Sequence, residues 1–261
     1  MSIRRWFFAS YPWLPHRLLN ASARILTRSE RPRWLVQAAI RAWIKRDQID
    51  MSEAVVTEYA TIEAFFLRRL VPGSRTVGEG VIAPADGRVV QRGRIEEDTI
   101  LQVKGVPMSV QRLVNGSGHD LDTRAFAGGR YITTFLSPRG YHFVHMPMSG
   151  LIERVQWIPG RFFPQNEHAL QHIAGIYERN ERATLFGRDS QGCPFIMVLV
   201  GASLIGSIEL KGLERSAWVG DSPLRPEWQR DRGDELGHFT FGSTVVLLLP
   251  PSLPGTTQRE V

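Results

Sequence analysis

Three short stretches of the chain hold polar side chains that a folded core does not by itself require. They are residues 84–88 (PADGR), 137–147 (SPRGYHFVHMP) and 233–244 (GDELGHFTFGST). Taken singly, each has an ordinary interpretation, because Asp-Gly and Gly-Ser-Thr are common in turns. Together they supply a carboxylate, two imidazoles and a hydroxyl, which are the groups that nucleophilic catalysis uses.

The serine of the third stretch is placed for an attack on its own backbone. Gly242 leaves the carbonyl before Ser243 unshielded, and the apolar run 245–249 predicts a buried strand that would hold the hydroxyl against it. Such an attack needs a histidine to accept the proton and a carboxylate to orient that histidine. His142 and His145 are three residues apart, so in an extended segment their rings face opposite sides and would have separate roles. Without a cysteine nearby or an HExxH spacing, they indicate no metal site.

The elements that must position these groups are mostly short strands. From residue 81 onward, short apolar or β-branched runs alternate with Gly and Pro, which predicts an antiparallel β sandwich or barrel, and the glycine-rich hairpins also suit a lipoyl-carrier-like core. The segment 216–232, rich in Pro, Trp and both charge signs, predicts a loop. The predicted strands cover residues 81–82, 87–91, 100–103, 131–136, 151–157, 195–200, 204–210 and 244–249.

Two helices are predicted before the strands, which makes the fold α+β with N-terminal amphipathic helices. Between residues 33 and 47, polar residues recur every four positions while apolar residues occupy another face. Residues 61–70 predict a second helix, capped by Thr61 and ended by Pro72-Gly73. In the first helix the polar positions are Arg33, Gln37, Arg41 and Lys45, and the apolar ones are Val36, Ala39, Ile40 and Trp43.

The positive charge belongs to the N-terminal arm, defined here as residues 1–50. The arm holds ten basic and three acidic side chains, a net +7, and because the whole chain carries +6 the other 211 residues carry −1. This distribution argues against a nucleic-acid groove spread over the fold. Four of the seven tryptophans (Trp6, Trp13, Trp34, Trp43) also lie in the arm. Basic and aromatic residues in this combination favour an anionic lipid surface, and an ordinary packed surface helix is the alternative for residues 33–47.

The sequence predicts a protein that lies on a membrane without crossing it. The apolar stretch near the N-terminus is interrupted by Pro12 and Pro15, so it does not form a signal peptide. The uncharged stretch 190–208 contains Pro and Gly residues and predicts two buried strands in place of a spanning helix. The single cysteine, Cys193, excludes an intrachain disulfide and favours a reducing compartment.

In chain order, the motifs PADGRV, LSPRxYHxxHMP and GDELGxFxxGST followed by VVLLLP resemble the phosphatidylserine decarboxylase proenzymes, which make their own pyruvoyl group. The IEAFFLRRL, GRIEED and VGASLIGSIE segments are also similar to that family. Four departures stand out. Phe241 replaces the Leu of LGST, Gly140 replaces the acid that often follows SPR, Phe143 replaces a basic residue between the histidines, and the loop before Gly233 is short.

The resemblance implies a role for each site residue. Ser243 would be the self-cleavage nucleophile, His145 its general base, and Asp86 the carboxylate that orients His145. Cleavage between Gly242 and Ser243 would give a β chain 1–242 and an α chain 243–261 of 19 residues, whose first residue becomes the pyruvoyl group. That group serves as the electron sink for decarboxylation. His142 would be the acid that protonates the product carbanion, with a pKa near neutrality.

The implied activity is conversion of phosphatidylserine to phosphatidylethanolamine and CO2. The implied partners are the phospholipid substrate, an anionic membrane surface and the two chains of one precursor, with a homodimer left open and nucleic acid excluded. We expect a membrane-associating region over 1–75, a catalytic β domain over 76–261, and a peripheral location on the cytoplasmic side of the cell membrane. Two other interpretations stay open, a non-catalytic lipoyl-like domain tethered to a membrane and a lipid-binding protein with an uncut chain.

Overall fold

The computed structural model describes residues 22–23, 25–102, 105–115, 123–165, 169–170, 173–202, 208–214, 224–240 and 243–253. Four helices in these ranges are α1 (Arg33–Asp47), α2 (Ile62–Phe66), α3 (Val110–Asn115) and α4 (Ile176–Arg179). The strands are β1 (Arg88–Arg94), β2 (Thr99–Gln102), β3 (Val106–Ser109), β4 (Arg130–Leu136), β5 (Phe143–His145), β6 (Gly150–Ile158), β7 (Arg182–Asp189), β8 (Pro194–Gly201), β9 (Ile208–Leu210), β10 (Trp228–Arg230), β11 (Glu235–Phe239) and β12 (Ser243–Leu249).

The strands form three antiparallel sheets. The largest has the order β1-β4-β12-β8-β7-β6-β10, a second has the order β5-β11-β9, and β2 pairs with β3. Every pairing between these named strands is antiparallel. The predicted class, mainly antiparallel β with N-terminal helices, is therefore confirmed.

Strand β12 is the buried centre of the large sheet. It pairs with β4 on one side and β8 on the other, and all seven of its residues are buried. Alternate side chains serve two cores. Val245, Leu247 and Leu249 pack into the core shared with β5 and β11, whereas Val246 and Leu248 pack toward α3 and α4. A run that is apolar at every position suits a strand covered on both faces, as the sequence predicts.

The helices α1 and α2 share a third, smaller core. Val36 and Ile40 of α1 pack with Tyr59 and Phe65, and the ring of Trp43 lies 5.4 Å from that of Phe65. The amphipathic prediction for α1 holds except at Ala39, which is exposed.

The second helix begins as predicted but ends earlier. The Thr61 side chain caps α2 by accepting a hydrogen bond from the Ala64 N–H at 2.9 Å. The helix stops at Phe66, where residue 70 was expected, because Leu70 forms an antiparallel bridge with Ala54 that requires extended backbone.

Several strands were not predicted, or lie elsewhere than predicted. Residues 81–82 form no strand, although the Ile82 N–H donates to the Pro147 carbonyl at 2.9 Å. The predicted loop 216–232 contains β10, and its residues 216–223 lie outside the described residues. Of the predicted strand 204–210, only β9 is described. Strands β3, β5, β7, β10 and β11 were missed because polar residues interrupt their apolar pattern or because they are only three to five residues long. Within the described residues, no helix is both long and apolar enough to span a membrane.

Candidate active site

The three polar stretches of the sequence meet at strand β5. On one side, the His145 N–H donates to the carbonyl of Pro84 at 2.7 Å. On the other side, β5 pairs with β11, and the Met146 N–H donates to the carbonyl of Asp234 at 2.8 Å. Segments that are about sixty and ninety residues from β5 in sequence thus become its immediate neighbours.

Two glycines allow this close assembly. A Cβ at Gly87 would lie 2.5 Å from the carbonyl oxygen of Phe135 in β4, and a Cβ at Gly237 would overlap the carbonyl oxygen of Glu209 in β9. Because real side chains do not approach backbone so closely, a larger residue at either position would push the PADG or GDELG segment away from its neighbour. These motif glycines therefore set the spacing of the site.

Ser243 is the first residue of β12 and is fully buried. Its backbone lies opposite Leu136 of β4 and Gly201 of β8. Its Oγ has no hydrogen-bond partner among the described residues. A buried hydroxyl without a partner is costly, so it marks a position where something other than stability is served. Gly242, the predicted carbonyl donor, lies outside the described residues.

His142 lies at the same end of the molecule as Ser243. The residue that precedes its loop, Leu136, is the backbone partner of Ser243, and the Phe239 N–H, four residues before Ser243, donates to the His142 carbonyl at 3.0 Å. The ring is fully buried, and burial, aided by the charge of Arg68, lowers the pKa of His142 to about 3. The predicted pKa near neutrality is therefore replaced by a ring that is neutral at pH 7.

His145 has both ring nitrogens engaged. Nδ1 lies 2.8 Å from the Gly233 carbonyl, which can only accept, so Nδ1 carries the proton. Nε2 is then the acceptor for the Tyr141 hydroxyl at 3.1 Å. Burial, together with the charge of Glu235, raises the pKa of Tyr141 to about 12, so its O–H remains a donor. The two histidines thus have different surroundings, as their odd spacing predicts.

Asp86 lies beside this site, but its carboxylate binds a different residue. Oδ2 accepts a hydrogen bond from Arg75 Nε at 2.7 Å, and Arg75 also binds Glu53 at 2.9 Å. Within the described residues Asp86 makes no hydrogen bond to His145, and the Gly233 carbonyl orients the ring in its place. The orienting role of Asp86 therefore stays a prediction that requires Asp86 to leave Arg75.

Arg69, from the N-terminal part of the chain, lies at the edge of the site next to β5 and β11, and the sequence motifs did not identify it. Arg69 binds Glu235 with Nη1 at 2.7 Å from Oε2, and its guanidinium lies 4.4 Å from the ring centre of Phe143. Although burial opposes ionisation, Arg69 holds the pKa of Glu235 below its ordinary value. Phe143 stands where the family often has a basic residue, and Arg69 brings a guanidinium over that same position.

Two other residues that the motifs missed, Phe66 and Arg68, contact the His142 region. They lie in the FFLRR run, and its pairing of aromatic and basic residues was interpreted only as a helix. Tyr141, within the second stretch, was missed because a tyrosine between glycine and histidine carries no signal of its own.

The site fits a group formed from Ser243 itself. Oγ of Ser243 and Nε2 of His142 are among the buried polar atoms that lack hydrogen-bond partners within the described residues. Both belong to residues to which the family resemblance assigns catalytic roles, and the segments that bear them are neighbours in the structure. A buried hydroxyl, two histidines and nearby carboxylates on a β framework are the residue types that nucleophilic catalysis uses.

Comparison with known proteins gives the family. The family model for phosphatidylserine decarboxylase matches residues 62–260. The chain therefore belongs to the phosphatidylserine decarboxylase family and is a decarboxylase of the lyase class. The match begins at α2, so the family model includes the helix that contacts His142.

Curated relatives of similar length agree. The chain is 36% identical over 268 residues to the phosphatidylserine decarboxylase proenzyme of Pseudomonas fluorescens (strain Pf0-1), which covers 95% of this chain and 90% of the relative. It is 37% identical over 256 residues to that of Stenotrophomonas maltophilia (strain R551-3), covering 92% and 88%. The proenzyme of Azotobacter vinelandii (strain DJ / ATCC BAA-1303) is 35% identical over 261 residues, covering 94% and 89%.

Proposed function

We propose that the chain decarboxylates phosphatidylserine to phosphatidylethanolamine and CO2 after cutting itself between Gly242 and Ser243. The observation that carries this proposal is the unpaired, buried hydroxyl of Ser243 at the first position of a strand paired on both sides. The pairing with β4 and β8 fixes the backbone of Ser243, so its Oγ can move only by rotation about the Cα–Cβ bond.

In the self-cleavage step, Ser243 Oγ attacks the Gly242 carbonyl carbon and the peptide C–N bond breaks, which leaves an ester. Loss of the Ser243 Cα proton, with formation of a Cα=Cβ double bond and breaking of the Cβ–Oγ bond, then gives dehydroalanine at residue 243 and leaves both oxygens on the Gly242 carboxylate. Loss of ammonia with uptake of water completes the pyruvoyl group at residue 243. His145 is the proposed base, and to act it must exchange the Tyr141 hydroxyl on Nε2 for that of Ser243.

The pyruvoyl group, once formed, supplies an electron sink that no ordinary side chain offers. The other work falls to residues of the chain. His142 is the proposed proton donor to the product carbon, and because its resting ring is neutral it must first receive a proton during the reaction. The buried surroundings of Ser243 and His142 exclude water, which strengthens every charge interaction there.

The N-terminal arm is the proposed membrane contact, on the cytoplasmic side of the cell membrane. Trp34 of α1 is 71% exposed and Leu35 is 50% exposed, which is unusual for large apolar side chains, and Arg33 and Arg41 beside them are exposed as well. Aromatic and basic residues together suit a bilayer surface that contains anionic lipid. Trp6 and Trp13 of the arm lie outside the described residues.

Intact mass measurement tests the proposal. Active protein should consist of two chains, with a C-terminal piece of 19 residues whose N-terminus is blocked to Edman sequencing. Ser243→Ala should remain a single full-length chain without decarboxylase activity, because no hydroxyl remains to attack. Active material that contains only the uncut chain would refute the proposal. Thr244→Ser, at the next position of β12, is the matched control and should still be cut.

A further inference from the structure

Helix α2 lies directly against the ring of His142. The ring centre of Phe66, the last residue of α2, is 3.9 Å from the ring centre of His142, and both side chains are fully buried. This distance is shorter than a loose apolar contact and leaves no space for a water molecule between the two rings. The surface that keeps His142 dry therefore comes from the N-terminal part of the chain.

Arg68, two residues further along, binds the backbone next to His142. Its Nη2 donates to the carbonyls of Arg139 and Gly140, at 2.9 Å for Gly140. The Gly140 oxygen lies 3.1 Å from Nδ1 of His142 as well. The two nitrogens share one acceptor, so they cannot be more than 6.0 Å apart (2.9 plus 3.1 Å). Arg68 is buried and forms no ion pair with a carboxylate among the described residues.

The shared carbonyl fixes the tautomer of His142. A carbonyl oxygen only accepts, so the proton of the neutral ring lies on Nδ1. Nε2 then holds a lone pair, and it is the buried nitrogen without a partner. The positive charge of Arg68 disfavours a second proton on the ring, and so does the apolar ring of Phe66.

Other charged groups around the ring are engaged with one another. From the segment that follows α2, Arg68 is the cation that faces His142. Most titratable groups on β11 and on the stretch that bears His142 are paired: Glu235 with Arg69, His238 with Glu209, and Tyr141 with His145. Arg139, on the same stretch, is exposed, so solvent screens its charge. Arg68 is therefore the charge whose removal should change the ring most.

We propose that Phe66 and Arg68 are positioning residues that hold His142 as the neutral Nδ1–H tautomer, with the Nε2 lone pair free for the decarboxylation step. The inference rests on the proposed function only for the step that His142 serves. Gly140 contributes its carbonyl, and the N-terminal part thereby acts inside the catalytic site as well as at the membrane. Trp43 of α1, stacked on Phe66 with 6.1 Å between ring centres, continues the contact to the arm.

The test uses full-length protein labelled with 15N-histidine, and the His142 signals are assigned by their loss in His142→Gln. Wild type, Phe66→Leu, Arg68→Met and Arg68→Lys are compared from pH 8 to pH 4, with Arg92→Met, an exposed arginine of β1, as the control. The 15N shifts report tautomer and protonation of the ring without any turnover. Intact mass gives the extent of self-cleavage, and kcat/KM against pH gives the acid limb of the free enzyme.

We expect the wild-type ring to remain predominantly neutral and Nδ1-protonated down to pH 4. Arg68→Met and Phe66→Leu should raise the protonated fraction of His142 at pH 4 about fivefold, from about a tenth to about half of the molecules, and should move the acid limb of kcat/KM upward by about one pH unit. Arg68→Lys, which keeps the charge, should move it less. All of these variants should still cut themselves, and Arg92→Met should match wild type in every measurement.

Three results would overturn the proposal: a wild-type ring that titrates near its ordinary value, an Nε2–H tautomer, or ring signals unchanged in both Arg68→Met and Phe66→Leu. Because the wild-type titration alone can give the first two, the proposal stays testable if a variant fails to fold. If the protein neither cuts itself nor decarboxylates phosphatidylserine, the proposed function fails, whereas the NMR result still decides whether α2 controls the ring.

Discussion

The hydroxyl of Tyr141 occupies the nitrogen with which His145, the proposed base, would accept the Ser243 proton, so removing that hydroxyl should accelerate self-cleavage. In Tyr141→Phe the aromatic ring remains, with its stacking on Phe143 at 5.0 Å and on His145 at 5.7 Å. The loss is confined to the O–H that donates to Nε2 at 3.1 Å. Burial raises the pKa of Tyr141 to about 12, so the hydroxyl is a donor throughout the physiological range and competes with Ser243 at every pH tested.

The magnitude follows from the strength of one hydrogen bond. A neutral, partly buried bond of this kind contributes about 1 kcal/mol net. If Nε2 must be released before it can accept the Ser243 proton, that free energy is part of the barrier. Removing about 1 kcal/mol from a barrier raises a rate about fivefold, since about 1.4 kcal/mol corresponds to a factor of ten. The free energy of unfolding should fall by a similar, small amount.

The assay is a pulse of cell-free synthesis followed by a time course of the uncut chain and of the β chain on a denaturing gel. Tyr131→Phe is the matched control, because Tyr131 is also buried and its hydroxyl accepts a hydrogen bond from the Leu101 N–H at 3.1 Å, outside the candidate site. It should cleave at the wild-type rate. Slower cleavage of Tyr141→Phe by fivefold or more would refute the competition argument and would show that the hydroxyl relays the proton or orients the ring.

Variants of the two histidines should affect different reactions. His145→Ala should impair self-cleavage, whereas His142→Ala should cut itself but lose at least about a hundredfold in decarboxylation rate. The reverse pattern would overturn the assignment. The free energy of unfolding should fall below pH 6.5 by up to about 1.4 kcal/mol per pH unit. The reason is that the buried ring of His142, with a pKa of about 3, stays neutral in the folded protein while the ring of the unfolded chain binds a proton. His142→Gln should remove this pH dependence, as measured by urea titrations at pH 7 and pH 5.5. Co-sedimentation with anionic vesicles should weaken only partly in 1 M salt, where the Debye length is about 3 Å. It should be lost when Trp34→Ala, Arg33→Gln and Arg41→Gln are combined. Unchanged binding of that triple variant would place the membrane contact elsewhere.

The features that could be predicted from the sequence are those set by residues close together in the chain. Examples are the apolar run of β12, the Thr61 cap and the three polar stretches, each of which is recognisable from about ten residues. The structure confirms the strand and the cap. The structure also explains why one of the motif positions is a glycine, because Gly87 permits close contact with β4. A periodic or turn-forming pattern contains this information because it reflects which side of a segment is covered.

The hydrogen-bond partners within the site could not be predicted in this way. The Gly233 carbonyl orients His145 from 88 residues away, and a backbone carbonyl leaves no trace in residue type. Arg75 binds Asp86 from eleven residues away in the sequence, and no local pattern links the two. The FFLRR run likewise gives no sign that it packs on His142. Strand β5 was missed because three residues are too few to show a period.

The position of the proposed cut also explains why cutting should not dismantle the enzyme. A break before Ser243 leaves β12 at the start of the 19-residue chain, where it is paired with β4 over seven residues and with β8 over six. Its five Val and Leu side chains are buried, and at about 1.5–3 kcal/mol each they contribute on the order of 10 kcal/mol to holding that chain. The new N-terminal group therefore stays in the buried site where the Ser243 hydroxyl was. Gel filtration of cleaved protein should keep both chains together in native buffer and separate them only in denaturant, and a short chain lost under native conditions would contradict this account.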